Sequence, residues 1–476
     1  MSLRKSTLKG LYWNSISQYG SQIIGIVITM VLARLITPSQ FGIIAMITVF
    51  SNFSGILIDF GFKSSIIQKK DVTTNDLSSI FWLNLIVGLF LSIIFFISAP
   101  LIANIYNEPQ LVPLIKFISI SFTITAISLV PTALFLKSMD FKSLAIRNLL
   151  AAAISGGTGI VLAYIGFGEW ALAIQLVLQG FLSTILIWTL TDWRPSFILK
   201  WSSILRYTKL SSALFINSSI TYFSSNIDNF LIGKMYNQKS LGIYSKSYAI
   251  IKLPTTNISK VLSAVFLPSF SKIQDDPAKI KKYYVKIIKI VISISFPLMI
   301  MVYFYAKEFV LIVFGDQWIE AVPFIKIFSI SGMIASINSL LGSVIISRGR
   351  TDLIFKEIYL KRPSVIIGIL VGAYISVFAI AIGKLLADIF NLFVTFFQIK
   401  DSIGLSIMGQ LRSMVYISFS NMILIFTIIL IKPEFHQINM PTIISLTIPL
   451  IIYGIVLYLG EKKLIQEVIK TFNSNK

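Results

Sequence analysis

"LARLITPSQFGIIAM", Leu32 to Met46, is echoed two hundred residues later by "IGKMYNQKSLGIYSK", Ile232 to Lys246. The two stretches lie over each other without a gap: Leu32 on Ile232, Ala33 on Gly233, Arg34 on Lys234, Gly42-Ile43 on Gly242-Ile243. Each closes one apolar stretch with a cation and opens another with a polar turn. A chain that repeats such punctuation at a fixed offset is built from two similar halves.

The apolar stretches on either side set the class. Of 476 residues, 55% are hydrophobic and only 13% charged, which excludes an ordinary soluble domain. A helix crosses a bilayer with about 20 mostly apolar residues. Fourteen such stretches run along the chain, the first near 11–33 and the seventh near 211–233, so the repeat lays helix one on helix seven. The strand alternation of a membrane barrel is absent, and helices satisfy their own backbone in lipid. Six helices per repeat is an even number, so both halves enter the membrane with the same orientation, related by an axis along its normal. The expected fold is all-α and integral to the membrane, with about 14 transmembrane helices. Its parts are an N-terminal six-helix lobe (1–191), a cytoplasmic amphipathic linker (192–210), a C-terminal six-helix lobe (211–400), and two additional helices with a cytoplasmic tail (401–476). "MSLRKSTLKG" starts like a signal peptide, but no small-residue cleavage site follows its apolar run, so the first helix is expected to stay in place.

The net charge of +21 would suggest nucleic acid in a soluble protein. Here its placement explains it. With the N-terminus inside, 28 of the 41 Lys and Arg residues fall in inside segments and five in outside loops. This bias puts both termini in the cytoplasm and the basic loops against anionic headgroups. No nucleic-acid partner is expected. With no cysteine and a single histidine, His436, in an outside loop, neither a metal site nor a cofactor is expected, and no catalytic residue is assigned.

Two helices carry polar stripes. Helix seven places Asn217, Thr221, Ser224, Ser225 and Asp228 at spacings of three and four, hence on one face. Helix one does the same with Asn14, Ser17, Gln18, Ser21 and Gln22. Such stripes are expected to line an interior cleft. A charge at mid-membrane costs about 2.5–3.5 kcal/mol on insertion scales and therefore finds a partner or water. Asp228 is expected to face a wet cavity or a cation, with Lys246, Lys252 and Lys260 of helix eight as candidates. Lys384 and Asp388 stand one turn apart on helix twelve, as cavity groups or as an intrahelical ion pair. Asp59, Arg34 and Lys234 near helix ends are either cavity groups or snorkelling side chains.

These segments resemble a known group. "VLARLITPSQFGIIAM" followed by "DFGFKSSIIQK", then "NIDNFLIGKMYNQKSLGIYSKSY", "ISKVLSAVFLPSFSKIQDD", "FGDQWIEAVPFIKIFSISGMI" and "SRGRTDL", are similar in order and spacing to polysaccharide transporter (Wzx/WzxC-like) flippases. That family belongs to the exporter superfamily that also holds MATE drug transporters and lipid II flippases. The resemblance spans about residues 5 to 460 and implies MATE-like lobes working by alternating access. It also implies an undecaprenyl-pyrophosphate-linked oligosaccharide as substrate in the bacterial inner membrane, with a coupling ion (H+ or Na+) in place of ATP and glycan polymerase machinery as a partner. Asp228 matches the acid of the family's helix-seven signature. The arginine/aspartate pair early in helix one of lipid II flippases has no counterpart here, which counts against lipid II as substrate. The expected function is a flippase for glycan repeat units of O-antigen, capsule or exopolysaccharide. A MATE-like exporter of organic cations and a membrane enzyme of glycan assembly are the rivals.

Overall fold

A computed structural model describes residues 3–252, 273, 276–339, 341–437 and 442–473. Among these residues there is no strand. Eleven helices are long and apolar enough to cross a membrane. The remaining three of the fourteen stretches fall on a long helix whose polar stripe lowers its hydropathy (Trp201–Met235), on the stretch of which only the helix 238–252 is described, and on the twelve-residue helix Arg362–Ala373. Contact density divides the chain into two compact units. The first is Met1–Ser245 with Val313–Trp318; the second is Lys246–Ile312 with Ile319–Lys476.

In the first unit α1 (Leu3–Leu35), α2 (Pro38–Asp59) and α3 (Phe62–Gln68) are followed by α4 (Thr74–Ile97), α5 (Ala99–Tyr106), α6 (Leu111–Ile118), α7 (Ile120–Lys137), α8 (Phe141–Tyr164), α9 (Glu169–Leu190), α10 (Trp201–Met235) and the helix α11 (238–252), which crosses the unit boundary. α1 packs along α8, α8 along α9, α4 along α7, and α10 along α2. The repeated punctuation is visible as structure. α1 stops at Leu35 and α10 at Met235, and each is followed by a two-residue break. Thr37 caps α2 through a capping box with Gln40, and Asn237 Oδ1 accepts from Ser240 N (2.8 Å) at the start of α11. Gly42 and Gly242 then meet reciprocally. A Cβ on Gly42 would run into the Gln238 carbonyl, and one on Gly242 into the Pro38 carbonyl. Glycine is required at both positions because backbone packs on backbone. Arg34 and Lys234 occupy the last turns of α1 and α10, where cations favour the helix dipole.

The segment 313–318 closes this unit. Trp318, fully buried, donates through Nε1 to the Ala33 carbonyl (2.8 Å), and Gln317 Nε2 donates to the same oxygen. The carbonyl near the end of α1 is thus satisfied by side chains. On the opposite side, residues 192–200 form an extended strap with no helix. Ser196 N donates to Ser78 Oγ (3.0 Å), Lys200 N to Ser79 Oγ (2.9 Å), and Trp82 Nε1 to the Ser196 carbonyl (2.8 Å). Residues 201–210 are the first turns of α10, whose 35 residues span about 52 Å at 1.5 Å per residue, longer than a hydrocarbon core. Buried Asp76 receives Tyr207 Oη (3.2 Å) and Arg206 (3.3 Å), fixing those turns to α4.

The second unit holds α12 (Pro277–Phe304), α13 (Ala306–Val313), α14 (Val322–Asn338), α15 (Leu341–Ser347), α16 (Thr351–Lys356), α17 (Arg362–Ala373), α18 (Val377–Ile403), α19 (Ile407–Gln437) and α20 (Thr442–Asn473). α12 packs on α14 and α19, α14 and α17 on α18, and α19 on α20. Its core gathers Ile280, Tyr284, Val291, Phe396, Ile399 and Ile417. Ion pairs tie its helices: Lys289 with Glu461, Lys432 with Glu308 at 2.9 Å, and Lys356 with Asp401 at 3.7 Å.

Candidate functional site: a hydroxyl-lined cleft in the first unit

A cavity of about 440 Å³ lies within the first unit, walled by α2, α3, α7, α8, α9 and α10. The α7 wall is read directly from spacing: Thr125, Ser128 and Thr132 recur every three or four residues and share a face. Their hydroxyl protons go to the α7 backbone, Thr132 Oγ1 to the Ser128 carbonyl (2.7 Å) and Thr125 Oγ1 to the Ser121 carbonyl (2.8 Å). Acceptor lone pairs remain on the oxygens. Pro131 lies in the same helix and has no N–H for the Ile127 carbonyl. Trp188 Nε1 of α9 donates to that carbonyl instead (3.2 Å), and Thr184 Oγ1 to the Ile124 carbonyl (3.2 Å). The proline break thus fixes α9 against α7 and sets Ser183 and Thr184 in the cleft wall.

The charged wall comes from α2, α3 and α8. Asp59, at the end of α2, accepts from Lys63 N (3.0 Å) and stands 3.9 Å from Lys63 Nζ. Arg147, in the second turn of α8, is half-buried. Its Nη1 donates to Thr132 Oγ1 (2.9 Å), and Nε and Nη2 donate to Asn148 Oδ1 (3.1 and 2.9 Å). Asn148 Nδ2 in turn donates to Ser17 Oγ (3.2 Å), tying α8 to the polar stripe of α1. Among the described residues Arg147 has no carboxylate partner within 4 Å.

Of the site residues singled out from sequence, Asp59 lines this cleft; Ser218 of α10, next to Asn217 and not singled out, lines it too. Asn217 is exposed, while Thr221 and Ser225 are half-buried further along the same helix. On α1, Asn14 is exposed and Gln18 and Gln22 are half-buried. Arg34 is exposed. Asp228 is 1% exposed, and its Oδ2 accepts from Tyr244 Oη (2.8 Å) across α10 and α11. It is not among the residues of the cleft wall. In the second unit, buried Lys384 sits over the Tyr248 ring at 3.8 Å, and exposed Lys252 approaches the same ring at 5.7 Å. Asp388, half-buried, follows one turn after Lys384. Lys260 lies outside the described residues. The structure therefore brings Lys384 and Lys252 to one aromatic face and leaves Asp59 with groups the sequence did not single out, Arg147 above all. Arg147 reads as a loop charge while the helix boundary is placed after it; the hydroxyl spacing of "TITAISLVPT" is the signal that points to the same wall.

Known structures share this fold. The lipid II flippase MurJ in an inward closed conformation superposes with a TM-score of 0.79 at 16% identity, covering 95% of this chain and 99% of that one. An inward-facing MATE family multidrug resistance transporter of the MOP superfamily superposes at 0.56 with 15% identity, covering 81% of this chain and 94% of that one. The architecture is the all-helical, multi-pass fold of those structures. The chain belongs to the polysaccharide biosynthesis protein family, whose pattern matches residues 31–323. It is similar to the lipopolysaccharide biosynthesis protein WzxC of Escherichia coli strain K12, 28% identical over 85% of this chain and 83% of the relative. It is also similar to the teichuronic acid biosynthesis protein TuaB of Bacillus subtilis strain 168, 28% identical over 74% of each chain.

Proposed function

We propose that this protein is a flippase that carries undecaprenyl-pyrophosphate-linked oligosaccharide repeat units across the bacterial cytoplasmic membrane by alternating access. It is a transporter, not an enzyme. The observation that carries the reading is a hydroxyl-walled, cation-bearing cleft inside a membrane-spanning unit of a polysaccharide biosynthesis family member. Sugar hydroxyls are bound by side-chain hydroxyls and amides, and pyrophosphate by Arg and Lys. The fold offers both in one place and otherwise shows lipid an apolar surface.

The finer parts of the reading are these. Two six-helix lobes, 1–191 and 211–400, rock about a pseudo-two-fold axis, with 401–476 outside the repeat. Both termini lie in the cytoplasm. An H+ or Na+ gradient drives the cycle, and glycan polymerase machinery takes the product. The polar faces of α1 (Asn14, Gln18, Gln22) and α10 (Asn217, Thr221, Ser225) bind sugars, and Lys252 and Lys260 attract the pyrophosphate. Asp228, Arg34, Asp59, Lys384 and Asp388 balance the charge as the states exchange. A substrate shifts that exchange only by binding the two states unequally. An exporter of organic cations would want a net acidic cavity; this cleft carries two cations and one acid.

The test is genetic. Deleting the gene removes surface glycan and accumulates lipid-linked repeat units inside, and the wild-type gene restores both. Asp228→Asn and Lys252→Ala are then scored in the same strain, where normal glycan from each would remove that residue from the mechanism. Efflux of a cationic dye with unchanged glycan would overturn the reading in favour of a drug exporter.

A further inference from the structure

We infer that the cleft of the first unit is an oxyanion-binding subsite centred on the Arg147 guanidinium, with the α7 hydroxyls of Thr125, Ser128 and Thr132 binding an adjoining sugar ring. This rests on the flippase reading for its natural ligand. The anion is either the pyrophosphate of the carrier or the carboxylate of an acidic sugar, since both present paired oxygens to a planar fork.

Three observations carry it. First, charge within a membrane helix normally pairs, and the second unit follows the rule: Lys289 meets Glu461 and Lys432 meets Glu308. Arg147 stands in an apolar helix with only an amide and a hydroxyl as partners among the described residues. Nε–H, one Nη1–H and one Nη2–H are used there, and the second hydrogen of each Nη is not. Thr132 and Asn148 hold the guanidinium in place, as a preorganised receptor requires. Second, the neighbouring cation is readily released. Lys63 of α3 meets Asp59 of α2 at 3.9 Å, both partly exposed, and such a pair is weak enough to exchange for a ligand. Third, the cavity's size and place suit a head group. About 440 Å³ falls in the range of roughly 300–1,000 Å³ that holds a small organic ligand. It admits an anionic head and a sugar or two, and excludes a whole repeat unit.

The lining also comes from one end of the bundle. It uses the last turns of α2, the middle of α7, the first turns of α8, the second half of α9 and the middle of α10. In an up-and-down bundle these share a side. It is the side of Lys69, Lys70, Lys137 and Lys142, cytoplasmic by the charge bias. The subsite therefore loads the molecule where lipid-linked sugars are assembled, before the lobes exchange.

The experiment uses the full chain in nanodiscs of neutral lipid, titrated with farnesyl pyrophosphate and with a glucuronate-bearing disaccharide. Farnesol and a neutral disaccharide serve as controls. Arg147→Gln is expected to weaken the recognised anion about tenfold or more and leave the controls unchanged, with Arg147→Lys in between. A loss confined to farnesyl pyrophosphate identifies the carrier's pyrophosphate, and a loss confined to the glucuronide identifies an acidic sugar. Affinities for both anions within about twofold of wild type overturn the subsite. If Arg147→Gln gives no folded protein, wild type decides. Either anion should then protect Arg147 from phenylglyoxal, read by peptide mass spectrometry, and protection by neither overturns the proposal. The flippase reading fails separately: a deletion strain that keeps its surface glycan sinks that reading whatever the binding shows. A deletion strain cured by an Arg147→Gln protein that binds both anions normally sinks the subsite alone.

Discussion

Two hollows of similar size face opposite chemistries. The first-unit cleft, about 440 Å³, sets Ser, Thr and Asn side chains with Asp59, Lys63 and Arg147 among Ile56, Leu129, Leu214 and Phe215. The groove between α17 and α18 in the second unit, about 640 Å³, is walled by Ile367, Val371, Ile375, Leu386 and Phe390, with Ser364 as its only hydroxyl. In a bilayer the second would fill with acyl chain at little cost, whereas the first would demand water or a polar guest. Volume therefore does not mark the proposed site; what marks it is polar surface kept where apolar surface would insert more easily. The groove has its own cause. Gly368 and Gly383 bring α17 and α18 into backbone contact, since a Cβ on either would run into the other's carbonyl.

One substitution placed in each hollow is the sharpest way to break this contrast. Gly383→Leu forces α17 and α18 apart and is expected to cost about 3 kcal/mol, seen as lost monodisperse protein and a lower Tm. A Cβ at Gly55 in the cleft wall meets nothing within 4 Å, so Gly55→Leu should leave stability within about 0.5 kcal/mol of wild type while glycan export falls as the cleft fills. Equal stability losses at the two positions would erase the distinction. A smaller effect is expected at Asp228, whose carboxylate is buried against Tyr244. Tyr244→Phe leaves the buried carboxylate without its 2.8 Å donor and should cost about 1–3 kcal/mol in thermal unfolding. Next comes the second unit's own cation. A double-mutant cycle of Lys384→Met with Tyr248→Leu should give a coupling of about 0.5–2 kcal/mol, and none if the ring contact is idle. The smallest pair tests the repeat. Thr37→Ala and Asn237→Ala should each cost about 1 kcal/mol, and a large difference between them would show that the two breaks are not equivalent.

Much of the fold was legible because lipid imposes a simple code. Apolar length reported the spans, and the echo of "ITPSQFG" in "YNQKSLG" reported two helix breaks that the structure builds alike. The site was less legible, for physical reasons. The stripe on α10 marks a polar face by spacing, but periodicity cannot say what covers it; Asp228 is buried against Tyr244, while Ser218, outside the stripe on the same helix, reaches the cleft. Arg147 is hidden by its position six residues inside a helix whose start the sequence places too late, so a lining cation looks like one more loop charge. Lys252 and Lys384 lie more than a hundred residues apart, and nothing local shows that both approach Tyr248.

The Trp318 bond to Ala33 reaches back across 285 positions to an oxygen made near the start of synthesis. The ribosome releases α1 long before its closing tryptophan exists, so the first unit is completed only after α12 has emerged. Nascent chains cut between the end of α11 and Val313 would thus leave the translocon with every helix of that unit present and its last seal missing.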